Sequence, residues 1–169
     1  MCKRAKKDEE TVADILKDFV YQREIHINYN CINSDDKHFA RLDFVLELPT
    51  KRVILEVDER QHHDVVYEVK CDLARMLHVM AAIACSRNDR PTVWIRFNPD
   101  VFKVDGQTVK IPKKRKYQQL LSVLQDTTEF SGIRILYMYY DVTNKMPTIC
   151  MDPSYDQQVK SMLSPPIVD

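Results

Sequence analysis

The chain has 169 residues and a formal net charge of zero at pH 7, from 25 Lys and Arg against 25 Asp and Glu. Only two residues are glycine, Gly106 and Gly132, whereas average usage of ~7 % would give about a dozen. Glycine-rich dinucleotide and phosphate-binding loops and the G-x-S-x-G hydrolase elbow are therefore excluded, because they need glycines close together. Zero net charge argues against polyanion binding driven by overall charge but allows a local basic groove.

Length and composition are typical of one soluble globular domain. We expect a flexible charged N-terminus at 1–10, a single domain at 11–145 and an irregular proline-containing tail at 146–169. The five cysteines are odd in number, widely spaced and without a C-x-x-C pair, which indicates a reducing, intracellular compartment, cytoplasmic or nuclear. No stretch has the length and apolarity of a membrane span or a secretory signal.

Hydrophobic periodicity predicts a mixed α/β protein. The predicted elements, in chain order, are a helix at 11–19, strands at 24–29, 41–48 and 52–58, a helix at 67–85, a strand at 92–97, a hairpin within 101–111, a helix at 113–125 and a strand at 133–140. The order predicts a βαβ crossover from 52–58 through 67–85 to 92–97. We expect Trp94 and the tyrosines of the last strand to lie in the core.

The strands at 41–48 and 52–58 carry four carboxylates. The apolar sets are Leu42, Phe44, Leu46 and Leu48 in the first strand and Val53, Leu55 and Val57 in the second. Registers that place both sets on one face put Asp43, Glu47, Glu56 and Asp58 on the other, with Asp43 opposite Glu56 or Asp58. Such carboxylates must be solvated, protonated, paired with bases or bridged by a cation. Oxygen ligands of this kind suit a hard ion such as Mg²⁺, and a merely solvated face is the alternative.

The segment after the second strand is rich in polar residues, at the kind of strand end where α/β sites gather. It includes Gln61, His62 and His63. A histidine here could orient water, act as a base or bind phosphate, although His63 is more simply an exposed loop residue. Lys70 and Arg75 on the following helix could reach the same site.

These residues resemble the PD-(D/E)XK nuclease superfamily, and in particular its branch of very-short-patch mismatch-repair endonucleases and related small endonuclease domains. The matching motifs are Asp43-Phe44, Glu56-Val57-Asp58 with Gln61-His62, Asp72 with Arg75, and Arg96-Phe97-Asn98-Pro99-Asp100. The resemblance covers about residues 39–100 and, more loosely, the helix from 113. It implies a restriction-endonuclease-like fold, with a mixed central sheet flanked by helices.

The resemblance further implies a Mg²⁺- or Mn²⁺-dependent endonuclease that hydrolyses DNA phosphodiester bonds. Asp43 and Glu56 would hold the metal, which would activate a water and neutralise developing charge. Asp58 would be a further ligand or would orient water. Gln61 and His62 would position the nucleophile or the phosphate.

The chain also departs from the family pattern. The motif lysine is absent because Asp58 stands in its place, which leaves charge stabilisation to Arg60, Lys70 or Arg75, the last being the implied phosphate ligand. Glu59 stands where relatives have glycine, and its charge repels phosphate. These departures favour an alternative, a catalytically weakened nuclease fold that binds nucleic acid or a protein. A third hypothesis is a non-nuclease interaction domain.

Four cations open the predicted helix at 113–125, namely Lys113, Lys114, Arg115 and Lys116. They oppose the helix macrodipole, so an external partner is a candidate reason for their presence. A DNA phosphate backbone fits, because basic clusters with helix amides bind phosphate. A nuclear-import signal and a solvated surface run are the alternatives.

Overall fold

The computed structural model describes residues 7–28, 39–59, 69–85 and 90–141, and within 69–85 the side chains of 75–84. The elements are α1 (Lys7–Ile15) with a 3₁₀ turn (Leu16–Asp18), β1 (Tyr21–Asn28), β2 (Phe39–Glu47), β3 (Arg52–Val57), α2 (Val69–Cys85), β4 (Thr92–Phe97), β5 (Phe102–Val104), β6 (Gln107–Val109), α3 (Lys113–Gln125) and β7 (Ile133–Met138). The predicted order of helices and strands is confirmed.

Five strands form one mixed sheet in the order β1-β2-β3-β4-β7. The first three form an antiparallel meander, and β3, β4 and β7 run parallel. The predicted crossover is confirmed, since α2 connects the parallel neighbours β3 and β4. The hairpin β5-β6 is separate from this sheet, lies within the predicted range 101–111 and turns at Asp105-Gly106.

Helices cover both faces of the sheet. Leu16, at the end of the first helical segment, and Leu120 of α3 belong to one buried cluster with Phe44 of β2. Met76 of α2 belongs to a second cluster with Trp94, which is 1 % exposed. The protein is therefore an α/β structure with a mixed sheet between helices. No helix in the described part of the chain has the length and apolarity needed to cross a membrane.

The first helix begins at Lys7 rather than at Thr11. Its first turn carries Asp8, Glu9 and Glu10, and acidic side chains are favourable there because they face the positive end of the helix dipole. Residues 1–6 and the expected tail at 146–169 lie outside the described residues.

The alternation of β2 changes at Asp43. Leu42 packs with Ile54 in the α2-side cluster, whereas Phe44 packs in the opposite cluster. The expectation that Leu42 and Phe44 share a face is therefore wrong. The ladder with β1 is interrupted between these two residues, opposite Glu24, whose φ of 49° is unusual for a non-glycine residue. Such irregularities twist a strand locally and redirect its side chains.

Candidate functional site

The carboxyl ends of the three parallel strands meet at one edge of the sheet. Asp58 follows β3, Asn98 follows β4 and Tyr140 lies shortly after β7. Backbone hydrogen bonds continue beyond the strands, from Asp58 N to the Phe97 carbonyl at 2.9 Å and from Asn98 N to the Met138 carbonyl at 3.0 Å. This edge is where the predicted site residues of β2 and β3 lie.

Asp43 and Glu56 converge at this edge. The β2–β3 ladder is in phase with the first of the two predicted registers and ends at the pair of Phe44 with Leu55, one residue before Asp43 and Glu56. The two acids are buried, at 8 % and 5 % exposure. Asp43 Oδ2 accepts a hydrogen bond from Val57 N at 3.0 Å, which fixes the carboxylate beside the end of β3.

The buried position of Glu56 disfavours its charged form. Burial raises the pKa of Glu56 to about 7, the charges of Asp43 and Asp58 add to the rise, and the guanidinium of Arg75 opposes it. Arg75 Nη2 donates to Glu56 Oε1 at 3.1 Å and to the Arg41 carbonyl at 2.8 Å. At neutral pH this position favours the uptake of a proton or a cation.

Asp58 is held by two buried donors. Arg96 Nε donates to Asp58 Oδ2 at 2.7 Å, and the Tyr140 hydroxyl donates to the same oxygen. Burial lowers the pKa of Arg96, but Asp58, Tyr140 and Tyr137 together more than offset burial, so that the pKa of Arg96 is raised. Burial and the same carboxylate raise the pKa of Tyr140 well above its usual value. Asp58 Oδ2 therefore accepts hydrogen bonds from two donors whose own pKa values favour retention of their protons.

Asp43 and Glu56 are the carboxylates at this edge that could hold a metal as a pair. Within the described side chains, no group of three or more His, Cys, Asp and Glu could hold an ion. Mg²⁺, however, usually binds through one or two carboxylates together with waters and substrate phosphates. Asp43 and Glu56 supply such a pair of hard oxygen ligands, while Asp58 is engaged by Arg96 and Tyr140.

Three predicted site residues cannot be placed in this geometry. Gln61 and His62 lie outside the described residues, as does the side chain of Lys70 in α2. Glu59 is described, and its Oε1 accepts a hydrogen bond from Asp8 N at 3.0 Å. This carboxylate therefore caps the first turn of α1.

The basic run at the start of α3 lies at the same edge of the sheet. Lys113 Nζ contacts both oxygens of Asp8 at 2.6 and 2.7 Å, and Asp100 Oδ1 at 3.4 Å. Asp8 in turn contacts Glu59 after β3, and Asp100 follows β4. Lys114 and Arg115 are exposed, so two of the four predicted phosphate-binding cations are open to a ligand and one is ion-paired.

Lys116 is predicted as part of the exposed basic run, and this prediction is wrong. It is 1 % exposed and its Nζ donates to the carbonyls of Asn98, at 3.2 Å, and of Asp100. The ammonium also lies 5.1 Å from the ring centroid of Phe102 and 4.6 Å from that of Tyr139. Burial lowers the pKa of Lys116 to about 8. Because it is enclosed, Lys116 has no access to a nucleic-acid backbone.

Two contacts were not expected from the sequence, one at this edge and one between α1 and β1. The sequence predicts Tyr140 in the core with the other tyrosines of the last strand, and its hydroxyl also donates to Asp58. Glu9 of α1 is 2 % exposed and accepts from Arg23 Nη2 at 3.0 Å. The signal for Tyr140 was its place at the end of a strand parallel to β4, because such ends share one edge.

Comparison with known proteins identifies no family. No family model and no curated protein matches the chain. Among solved structures, it is similar to a protein of unknown function, AF1548, with 16 % sequence identity and a TM-score of 0.36. That match covers 77 % of this chain and 56 % of the other, so this chain spans little more than half the length of that protein.

Proposed function

We propose that this protein is a metal-dependent endonuclease that hydrolyses DNA phosphodiester bonds, with a restriction-endonuclease-like fold. The observation that carries the proposal is that Asp43 and Glu56, two buried carboxylates on neighbouring antiparallel strands, lie near enough for the Asp43 charge to raise the pKa of Glu56. The motif resemblance requires such a pair, followed by a crossover helix that carries D-x-x-R. Here α2 is that helix, and its Arg75 contacts Glu56.

In this proposal Asp43 and Glu56 hold a Mg²⁺ or Mn²⁺ ion, and Val57 N fixes the orientation of Asp43. When bound, the ion supplies an activated water and neutralises charge on the scissile phosphate. Arg75 keeps Glu56 in place, and its side chain, 31 % exposed, is accessible to a phosphate oxygen. Gln61 and His62 remain candidates for positioning the nucleophile.

Charge around the site supports a DNA partner. Lys114 and Arg115 are exposed at the start of α3, and Lys113 links that helix end to the segments after β3 and β4. Exposed cations at a helix start can hold a phosphate backbone against the protein. The intracellular location indicated by the cysteines is part of the same proposal.

Cleavage of supercoiled plasmid and of single-stranded oligonucleotides, with Mg²⁺, Mn²⁺ or EDTA, tests the proposal. We expect metal-dependent nicking by the wild type and its loss, by about 100-fold or more, in Asp43→Asn and Glu56→Gln. The matched control is Glu47→Gln, on the same strand as Asp43, because Glu47 pairs with Arg52 instead. Equal cleavage by wild type and Asp43→Asn would reveal a contaminant and contradict the proposal.

The second candidate is a catalytically weakened nuclease fold that only binds nucleic acid or a protein. It is favoured by Asp58 at the position of the motif lysine and by its engagement with Arg96. Calorimetric titration with Mn²⁺ separates the two functions. Mn²⁺ binding without cleavage supports the second candidate. Failure of both metal binding and DNA binding contradicts the nuclease and the nucleic-acid-binding form of the second candidate.

A further inference from the structure

We propose that a pocket at the far edge of the sheet binds a small aliphatic carboxylate, a monoanion with a short apolar tail. The pocket lies where β4 and β7 begin and α3 ends, whereas Glu56 lies toward the end of the parallel strand β3. It uses none of the residues proposed to hold the ion, so this inference goes beyond the proposed function and does not depend on it.

The pocket is a cavity of about 100 Å³ with apolar and charged walls. Four apolar side chains line it, namely Val93, Val123, Phe130 and Leu136. Lys51, which precedes β3, and Arg134 of β7 supply two cations. Because one water needs about 10–15 Å³ of cavity, this one has room for a ligand of several heavy atoms.

Lys51 brings an unused donor into the pocket. The residue is 4 % exposed, and its Nζ donates to the carbonyls of Val123 at 3.1 Å and Asp126 at 2.6 Å. An ammonium group carries three N–H donors. The third has no hydrogen-bond partner in the part of the chain that the structure describes. Leaving a buried donor unsatisfied is costly, so an acceptor atom in the pocket is favourable.

Arg134 adds a second cation on the exposed side of the pocket. Its guanidinium carbon lies 4.4 Å from the ring centroid of Phe130, and this stacking orients the group. Arg134 is exposed, and within residues 7–28, 39–59, 69–85 and 90–141 no carboxylate forms an ion pair with it. The planar fork of an arginine matches the two oxygens of a carboxylate.

The local charge favours a monoanion. Burial lowers the pKa of Lys51, the charge of Asp126 opposes this and the charge of Arg134 adds to it, so the three groups lie close together. Two cations and one carboxylate leave a single positive charge. Asp126 Oδ1 is engaged by Thr128 N at 3.0 Å and by its hydroxyl at 2.7 Å. An aliphatic carboxylate matches both the single charge and the apolar wall, whereas inorganic phosphate has no apolar part.

An NMR titration of the amide chemical shifts with sodium butyrate tests the inference. We expect saturable shifts at residues that line the pocket. Butyramide, the neutral counterpart, and inorganic phosphate should bind more weakly by about 10-fold or more. Arg134→Gln should raise the Kd for butyrate by about 10- to 100-fold, because a charged donor is lost. Arg41→Gln is the matched control, since Arg41 is an exposed arginine outside the pocket.

Val123→Met tests the cavity itself, because the longer side chain fills it without a change in charge. We expect this variant to lose butyrate binding. A wild-type Kd in either Arg134→Gln or Val123→Met, with a wild-type thermal midpoint, overturns the inference. Equal binding of butyrate and butyramide, tighter binding of phosphate, or the lack of a saturable shift in the wild type also overturns it. DNA cleavage by the same variants is measured in parallel, and its absence contradicts only the nuclease.

Discussion

Arg96 Nε donates to Asp58 Oδ2 at 2.7 Å, and the two side chains are only 2 % and 7 % exposed. The pair joins the carboxyl ends of β4 and β3. Glu56 is next to it, because Glu56 and Arg96 are Cα partners in the β3–β4 ladder. Burying two charges is costly unless each is paired and hydrogen-bonded. The pair therefore fixes the position of Asp58 beside the two carboxylates proposed to hold the ion.

Arg96→Met should destabilise the fold by about 3–5 kcal/mol, because Asp58 is left as an uncompensated buried charge. Urea unfolding measures the loss. Arg96→Met combined with Asp58→Asn should recover much of it, since no buried charge remains. The control is Arg41→Met, which breaks an exposed pair and should cost under about 1 kcal/mol. A loss as small as this in Arg96→Met would contradict the assigned role.

Glu56 should make stability fall as pH rises. Its pKa is about 7 in the folded protein against an ordinary value of 4.5, so between these pH values the folded state keeps a proton that the unfolded state has lost. Stability therefore decreases through this window as pH rises, by on the order of 3 kcal/mol. Glu56→Gln lacks this slope, so its stability relative to the wild type should increase from pH 4.5 to 8.

Urea unfolding of both proteins at several pH values, in EDTA, checks the sign. Saturating Mg²⁺ should reduce the difference at pH 8, because an ion at the site favours the charged carboxylate. A stability difference that does not change with pH would contradict the buried, undercompensated position of Glu56.

Lys114 and Lys116 should behave differently although they are two residues apart. Lys114 is exposed, so Lys114→Ala should reduce the slope of log K for DNA against log salt by about 1. Lys116 is enclosed, so Lys116→Met should leave the slope unchanged. It should lower the thermal midpoint instead, because the Asn98 and Asp100 carbonyls lose their donor. A reduced salt slope in Lys116→Met would contradict its burial.

Local sequence patterns predicted the elements well where proline and polar residues mark their limits. The strand at 92–97 follows Pro91 and the helix at 113–125 follows Pro112, and both match the structure at each end. Alternation in two adjacent strands allowed two registers, and the β2–β3 ladder is in phase with the one that places Asp43 next to Glu56.

Other features depend on contacts between distant segments. The change of face at Leu42 arises next to Glu24 of the neighbouring strand, which nothing in the β2 sequence reveals. The burial of Lys116 did leave a signal, since it lies four residues before Leu120 and eight before Leu124, on one helix face. The run of four cations predicts one exposed surface, but the helical period turns its last member, Lys116, toward the core.

Arg75 and Asp43 should shift the titration of Glu56 in opposite directions. The Arg75 charge lowers the pKa of Glu56 and the Asp43 charge raises it. Arg75→Ala should therefore move the titration midpoint above the wild-type value of about 7, and Asp43→Asn should move it below that value. The ¹³C shift of the Glu56 side-chain carboxyl, followed by NMR between pH 4 and 9 in EDTA, measures the midpoint directly. Glu47→Gln should leave it in place, because Glu47 pairs with Arg52 and Arg90. Shifts of the same sign in Arg75→Ala and Asp43→Asn would mean that the three side chains do not share one electrostatic site, and the two-carboxylate ion site would then have no basis.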